Sequence, residues 1–356
     1  MRRLATTLAG ALACLSLPLA PEALPPPDGR ATGMSGVGSW AEPQIRAVVG
    51  RSLMGGSLSA FRPDDALTVA ELNELAAALA RRAAPSPPAT RPSAASSAAA
   101  TIEALDGRLV RTVGLSASAS RFTAAAKAAG LDPPARFGTE VVARLLGLRT
   151  NHPAAQDDLE LLPRDPATRA EAAFSAARVL ALSSSDVRAV TEAAAEFQLP
   201  ALDEWQRRVL TVAVGLVGYP YIWAGTSERG TPPSGGRGGF DCSGFVWRVF
   251  KLHRYPEAAA LAGTLRGRTT YAMSGEVPTA RRVPFPRLEP ADVVFFGRRG
   301  TKSRPAEVDH VGIYLGSGWI VHSSERGVAL ARMSGWYRER FAWGRRPLAE
   351  AGLVPA

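Results

Sequence analysis

The sequence predicts an α+β protein: an all-α N-terminal region of repeated helical units, then a domain in which a cysteine-bearing helix precedes an antiparallel sheet carrying histidines. Three observations predict it. Residues 62–71 and 162–171 are versions of one phrase, with Pro, Asp, Ala, Thr and Glu in register. Cys242 follows a Gly-rich stretch and opens a segment in which Phe245, Val246, Val249 and Phe250 recur on one helical face. Asp292-Val293-Val294-Phe295-Phe296, residues 311–315 and residues 319–321 read as strands, with Gly and Pro between them.

The chain of 356 residues is long enough for two or three domains, and an apolar fraction of 46 % supports packed cores. Residues 1–20 carry Arg2 and Arg3 ahead of an apolar run at 4–19 that Pro18 breaks. A basic start and a short apolar stretch predict a secretory signal rather than a membrane span. Cleavage can fall after Ala20 or Ala23, neither of which has a small residue three before it, so the site stays open, and Ala11-Leu12-Ala13-Cys14 is a poor lipidation box because the apolar run continues past it. Removal of the signal leaves Cys242 as the sole cysteine, a thiol with no disulfide partner. The Pro/Gly-rich stretch at 21–35 is a leader.

The helical units follow. Trp40-Ala41-Glu42-Pro43-Gln44-Ile45 opens a short helix, Gly55-Gly56 a turn, and Thr68 with Glu71 has the spacing of a capping box. Residues 138–148 supply the matching helix of the second copy, a Pro/Ala/Ser linker occupies 83–100, and 102–131 is a degenerate third copy. Residues 36–183 resemble the S-layer homology module, whose units carry an initial Trp, a Gly-rich turn, an Arg-Pro-Asp segment and a Thr-Arg-Ala-Glu helix start. The resemblance implies binding of an anionic cell-wall polysaccharide by Arg169, with Trp40 as the initial aromatic. The first copy departs, having Val69 at the Arg position. A small helical domain that only packs against its neighbour remains the alternative. Residues 184–204 read as a helical connector to the domain at 205–350.

Cys242 at a helix start gains from the unpaired N–H groups and positive dipole end, which favour the thiolate. A thiol nucleophile needs an imidazole base, and that imidazole needs a partner on its other nitrogen. His253 lies too far along the Cys242 helix, about 16 Å at 1.5 Å per residue, and His152 reads as a solvated loop residue. His310 and His322 flank a hairpin. A three-residue loop at 316–318 sets Gly312 opposite His322 and puts both histidines on one face, about 7–8 Å apart at the backbone. A two-residue loop sends them to opposite faces.

Five elements in order (Pro220-Tyr221-Ile222-Trp223-Ala224-Gly225, Asp241-Cys242-Ser243-Gly244-Phe245-Val246, residues 292–296, residues 310–316 and Ile320-Val321-His322) make residues 205–346 similar to the NlpC-type cysteine peptidases, a papain-like family. The resemblance implies cleavage of peptidoglycan stem peptides, between D-glutamate and the diamino acid, without a cofactor; a wall-binding protein whose papain-like domain is inactive or of amidase or transferase type is the alternative. Cys242 is then the nucleophile, His310 the base and His322 the orienting group. Tyr221 lies near the nucleophile, and Asp241 and Ser243 line the substrate cleft, where an acidic group can meet a free amine. Ala224-Gly225 stands where the family has paired glycines, and residues 230–239 form an insertion.

The net charge of +10, which falls to +8 when Arg2 and Arg3 leave, suits an anionic envelope polymer. The Lys and Arg residues match no nucleic-acid motif. A Cys/His/His trio also suits zinc with an open position, but no second cysteine and no His-Glu-x-x-His helix accompany it. The expected protein is secreted and acts at the cell wall or surface.

Overall fold

The computed structural model describes residues 37–83, 96–229 and 238–353. The expected signal and leader, most of the linker and most of the 230–239 insertion lie outside those residues. The helical region runs α1 (Glu42–Val49), α2 (Val69–Ala83), α3 (Ile102–Thr112), α4 (Ser116–Ala128), α5 (Phe137–Leu145), α6 (Arg169–Ala181) and α7 (Ser184–Glu196), and α8 (Glu204–Gly215) leads into the sheet domain.

Helices α2, α3 and α6 begin alike. Thr68, Thr101 and Thr168 each accept, on the side-chain oxygen, the N–H three residues on, at 3.1, 3.2 and 3.2 Å. Glu71 returns a bond to the Thr68 N–H at 2.8 Å, so the capping box forms. Immediately before the threonines the backbone closes a ring. Leu67 N–H donates to the Ala167 carbonyl, Ala167 N–H to that of Ala100, and Ala100 N–H to that of Leu67, at 2.7, 2.8 and 2.7 Å. All three residues are buried, where a backbone N–H left unpaired would be costly. The three units are therefore arranged about a pseudo-threefold centre. The third starts at Ala99-Ala100-Thr101, at the end of the expected linker, and its first helix ends at Thr112.

In the sheet domain, β1 (Thr226–Ser227) and β2 (Gly239–Phe240) form a small ribbon ahead of α9 (Cys242–Trp247). After α10 (Leu261–Thr264) and α11 (Thr270–Gly275) come β3 (Val293–Gly297), β4 (Val308–Gly316), β5 (Trp319–Ser324), β6 (Gly327–Arg332), α12 (Trp336–Arg340), β7 (Phe341–Arg345) and α13 (Pro347–Glu350). The five long strands form one antiparallel sheet in the order β6-β5-β4-β3-β7. Alternation sends Val293, Phe295, Val311, Ile313 and Val321 to the main core and Val294, Phe296 and Ile320 to a smaller cluster on the opposite face.

The β4–β5 hairpin reaches the expected register by another route. Its turn is the two residues Ser317 and Gly318, at φ +50° and +79°, a conformation suited to tight hairpins. Gly316 pairs with Trp319, but Tyr314 pairs with Ile320 and Gly312 with His322, so a bulge absorbs Leu315. The extra residue restores the pairing that a plain two-residue turn would have lost.

The main core is continuous across both regions. Phe122 of α4, Phe197 after α7 and Trp319 of β5 pack with ring centroids 5.1–6.1 Å apart. The stretch expected to be a connector is thus packed structure, with α7 against α4.

Beside this seam lies a buried ionic cluster of Asp106, Glu140, Arg144, Arg149, His152, Glu160 and Glu171. Arg149 pairs with Glu171 at 2.6 Å and lies 3.9 Å from Asp106, and Arg144 lies 3.6 Å from Glu140. His152, expected in solvent, is 8 % exposed: Trp40 packs edge-on at 4.5 Å, Glu171 lies 3.3 Å from Nε2, and Glu160 accepts the backbone N–H at 2.5 Å. Burial pushes Glu140 up to about 8, Glu160 to about 7 and Asp106 to about 6. Glu171 suffers the same desolvation, yet Arg149 and His152 hold it below the carboxylate range.

Candidate active site

Asp241 caps α9 by accepting the Gly244 N–H at 2.5 Å, which places Cys242 in the first turn. Only glycine fits at 244, because a Cβ there would sit 1.8 Å from the Gly225 carbonyl oxygen. Phe245, Val246, Val249 and Phe250 are fully buried, so the helix is pinned to β4 and β5 by the face read from the sequence.

The backbone N–H of Val311, the residue after His310, bonds to the Cys242 sulfur. His310 Nε2 lies 3.0 Å from His322 Nδ1, and the rings meet edge-on with centroids 5.0 Å apart. Beyond them the Tyr337 hydroxyl lies 3.1 Å from His322 Nε2. Imidazole, imidazole and phenol thus follow one another, and the thiol meets the same strand at the Val311 N–H. If Nδ1 is to accept a proton, Nε2–H of His310 donates to His322 Nδ1, and Nε2–H of His322 donates to the Tyr337 oxygen.

The electrostatics reverse one expectation. Burial, the Asp241 carboxylate next, pushes the Cys242 thiol up to about 12, outweighing the N–H groups of Ser243 and Val311 that favour the thiolate. Burial also lowers His310 to about 4 and takes His322 well below its ordinary value. The resting pair is therefore neutral thiol and neutral imidazole, not a preformed ion pair.

The other sequence-derived residues take varied places. Tyr221 faces Cys242 closely enough for the thiolate to raise its phenol, after desolvation. Asp241 and Ser243 are 8 % and 5 % exposed, and Arg268 binds both: Nη1 reaches Asp241 Oδ1 at 3.1 Å and Ser243 Oγ at 2.6 Å, and Nη2 reaches Asp241 Oδ2 at 3.1 Å. The Asp241 carboxylate is thus engaged by Arg268 and by the helix cap. Arg169 is likewise engaged inside the fold, pairing with Glu71, donating to the Phe61 carbonyl at 2.9 Å and stacking 4.8 Å from the Phe61 ring. Trp40 packs on His152 and Phe174. Sequence reasoning missed Arg268 and Tyr337, which lie in segments with no periodicity or motif to mark them.

The Cys242 thiol thus opens a helix packed on the strand that carries His310, beside the His310–His322 pair. Residues 218–346 match the NlpC/P60 family, and this C-terminal domain is an NlpC/P60 domain. "Probable peptidoglycan endopeptidase LytE" of Bacillus subtilis is 31 % identical over 140 residues, covering 39 % of this chain and 34 % of that protein. "Gamma-D-glutamyl-L-lysine dipeptidyl-peptidase" of Bacillus cereus is 32 % identical over 155 residues, 42 % of this chain and 37 % of the relative. The chain thus spans about a third of the length of these curated relatives. Among solved structures, an NlpC/P60 family protein from Bacillus cereus aligns with a TM-score of 0.31 at 27 % identity, over 43 % of each chain. No described helix is long and apolar enough to cross a membrane.

Proposed function

We propose that this protein is an exported cell-wall hydrolase that cuts peptidoglycan stem peptides, at the bond between D-glutamate and the diamino acid. The similarity of residues 218–346 to relatives named as peptidoglycan endopeptidases and a γ-D-glutamyl peptidase supports the substrate class. The observation that carries the mechanism is the 3.0 Å contact of His310 with His322 beside the Cys242 helix. As Cys242 Sγ attacks the carbonyl carbon, His310 Nδ1 takes the thiol proton. The resulting imidazolium is steadied through Nε2–H by His322, which Tyr337 holds in turn. His310 then returns the proton to the leaving amine, and water hydrolyses the thioester.

The N-terminal repeats, by their likeness to S-layer homology units, associate with an anionic wall polysaccharide, whose charge must compete with Glu71 for Arg169. Incubating purified muropeptides with the protein and with Cys242→Ala, followed by mass spectrometry, tests the activity. Products from the parent alone support the peptidase; none from either leaves a wall-binding protein without turnover. Retention on sacculi of Arg169→Ala in the full chain tests the anchor, and undiminished retention removes Arg169 from it.

A further inference from the structure

The loop that carries Tyr221 is held from outside its own domain. Asn151, in the helical region, clasps the Tyr221 backbone: Nδ2 donates to its carbonyl at 2.5 Å and Oδ1 accepts its N–H, 3.2 Å away. Two residues on, Trp223 N–H donates to Asp157 Oδ2 at 3.3 Å. At the start of the loop, Arg144 Nη2 donates to the Gly218 carbonyl at 2.5 Å. The loop needs such support, because Trp223 is 69 % exposed and Ala224 sits at φ +59°, a conformation that costs a residue with a Cβ about 1–2 kcal/mol.

Asn151 is itself fixed by its sequence neighbours. Two residues before it, Arg149 is ion-paired with Glu171, and His152 directly after it is bonded to Glu160 and packed under Trp40. A side-chain amide presents an N–H donor and a carbonyl acceptor side by side, matching a peptide's C=O and N–H, so this contact fixes rotation as well as position. The buried ionic cluster thereby serves as a footing from which the helical region aims a loop of the other domain.

We propose that residues 144–157 are a positioning element of the active site, with Asn151 setting the pose of Tyr221 against Cys242, so that the NlpC/P60 domain depends on the helical region for turnover. The proposal rests on the reading of Cys242 as nucleophile. Its test is a double-mutant cycle in the full chain, joining Asn151→Ala with Tyr221→Phe, on a stem peptide. Asn151→Ala is expected to lower kcat about tenfold to a hundredfold, with a smaller change in KM, the scale of a misplacement of about 1 Å. In the Tyr221→Phe background the same substitution should cost far less, because both act through one group. Asn151→Asp keeps shape and acceptor but loses the donor, and serves in the same cycle should the alanine variant not fold. An unchanged kcat, or an equal loss in both backgrounds, overturns the proposal. Amide hydrogen exchange over residues 218–225 reads the clasp without turnover: faster exchange in Asn151→Ala supports it and unchanged exchange overturns it. A parent protein without activity would remove the peptidase reading while the exchange still decides the clasp.

Discussion

The protein buries two sets of titratable side chains and treats them oppositely. In the helical region four carboxylates, two guanidiniums and a histidine share one buried cluster, in which burial raises Asp106, Glu140 and Glu160 while Arg149 and His152 hold Glu171 low. In the sheet domain two imidazoles and a phenol are strung together near a thiol, and burial keeps the thiol protonated and the imidazoles neutral at rest. In the ionic cluster, removing one member strands its partner.

Breaking the neutral chain should have the largest effect. His310→Ala is expected to abolish turnover as completely as Cys242→Ala, a loss of about three decades or more, because nucleophile and base act as a unit. Single-turnover assays of both variants check it, and a His310→Ala enzyme with substantial activity would remove His310 as the base. His322 does less. His322→Ala should lose about two to four decades, whereas His322→Gln should keep measurable activity by accepting from His310. Equal loss from both, with folding intact, would end the orienting role.

The cluster answers to pH instead. Glu140 has a folded value of about 8 against an ordinary 4.5, so between those limits the unfolded chain releases a proton that the folded one keeps, and stability falls as pH rises. His310, lowered from 6.5 to about 4, acts in reverse: its contribution is intact above about 6.5 and is lost as pH falls toward 4. Glu140→Gln should flatten the alkaline decline, gaining at least about 1 kcal/mol on the parent between pH 5 and pH 8 in denaturant titrations. Parallel curves would remove Glu140 from the account. The smallest effect is expected at Ala224: Ala224→Gly relieves its positive φ and should raise the unfolding temperature by an amount worth at most about 1 kcal/mol, since added freedom of the unfolded chain offsets part of the relief.

What the sequence made legible follows from where its information lies. The Cys242 helix, the central strands and the facing histidines could be read because periodicity and a tight hairpin are local signals. Strands β6 and β7 passed unread, since Gly327–Arg332 and Phe341–Arg345 lie amid charged and turn-forming residues. His152 was misplaced because its burial depends on Trp40, more than a hundred residues earlier in the chain. Arg268, Tyr337 and Asn151 enter the site only through tertiary contacts. The raised thiol had the same origin: a helix terminus is visible in a sequence, but the crowding and the carboxylate that oppose it are not.

The ring of Leu67, Ala100 and Ala167 bears on how the molecule is made. Its three bonds join residues between 33 and 100 positions apart, so none forms by local winding of a helix. Closing loops of that length costs chain entropy before any contact repays it, and such topologies fold slowly. During synthesis, α2 and α3 stay incomplete until Ala167 arrives to close the circle. The helical region on which the Tyr221 loop rests is thus closed by contacts distant in the chain rather than by neighbours.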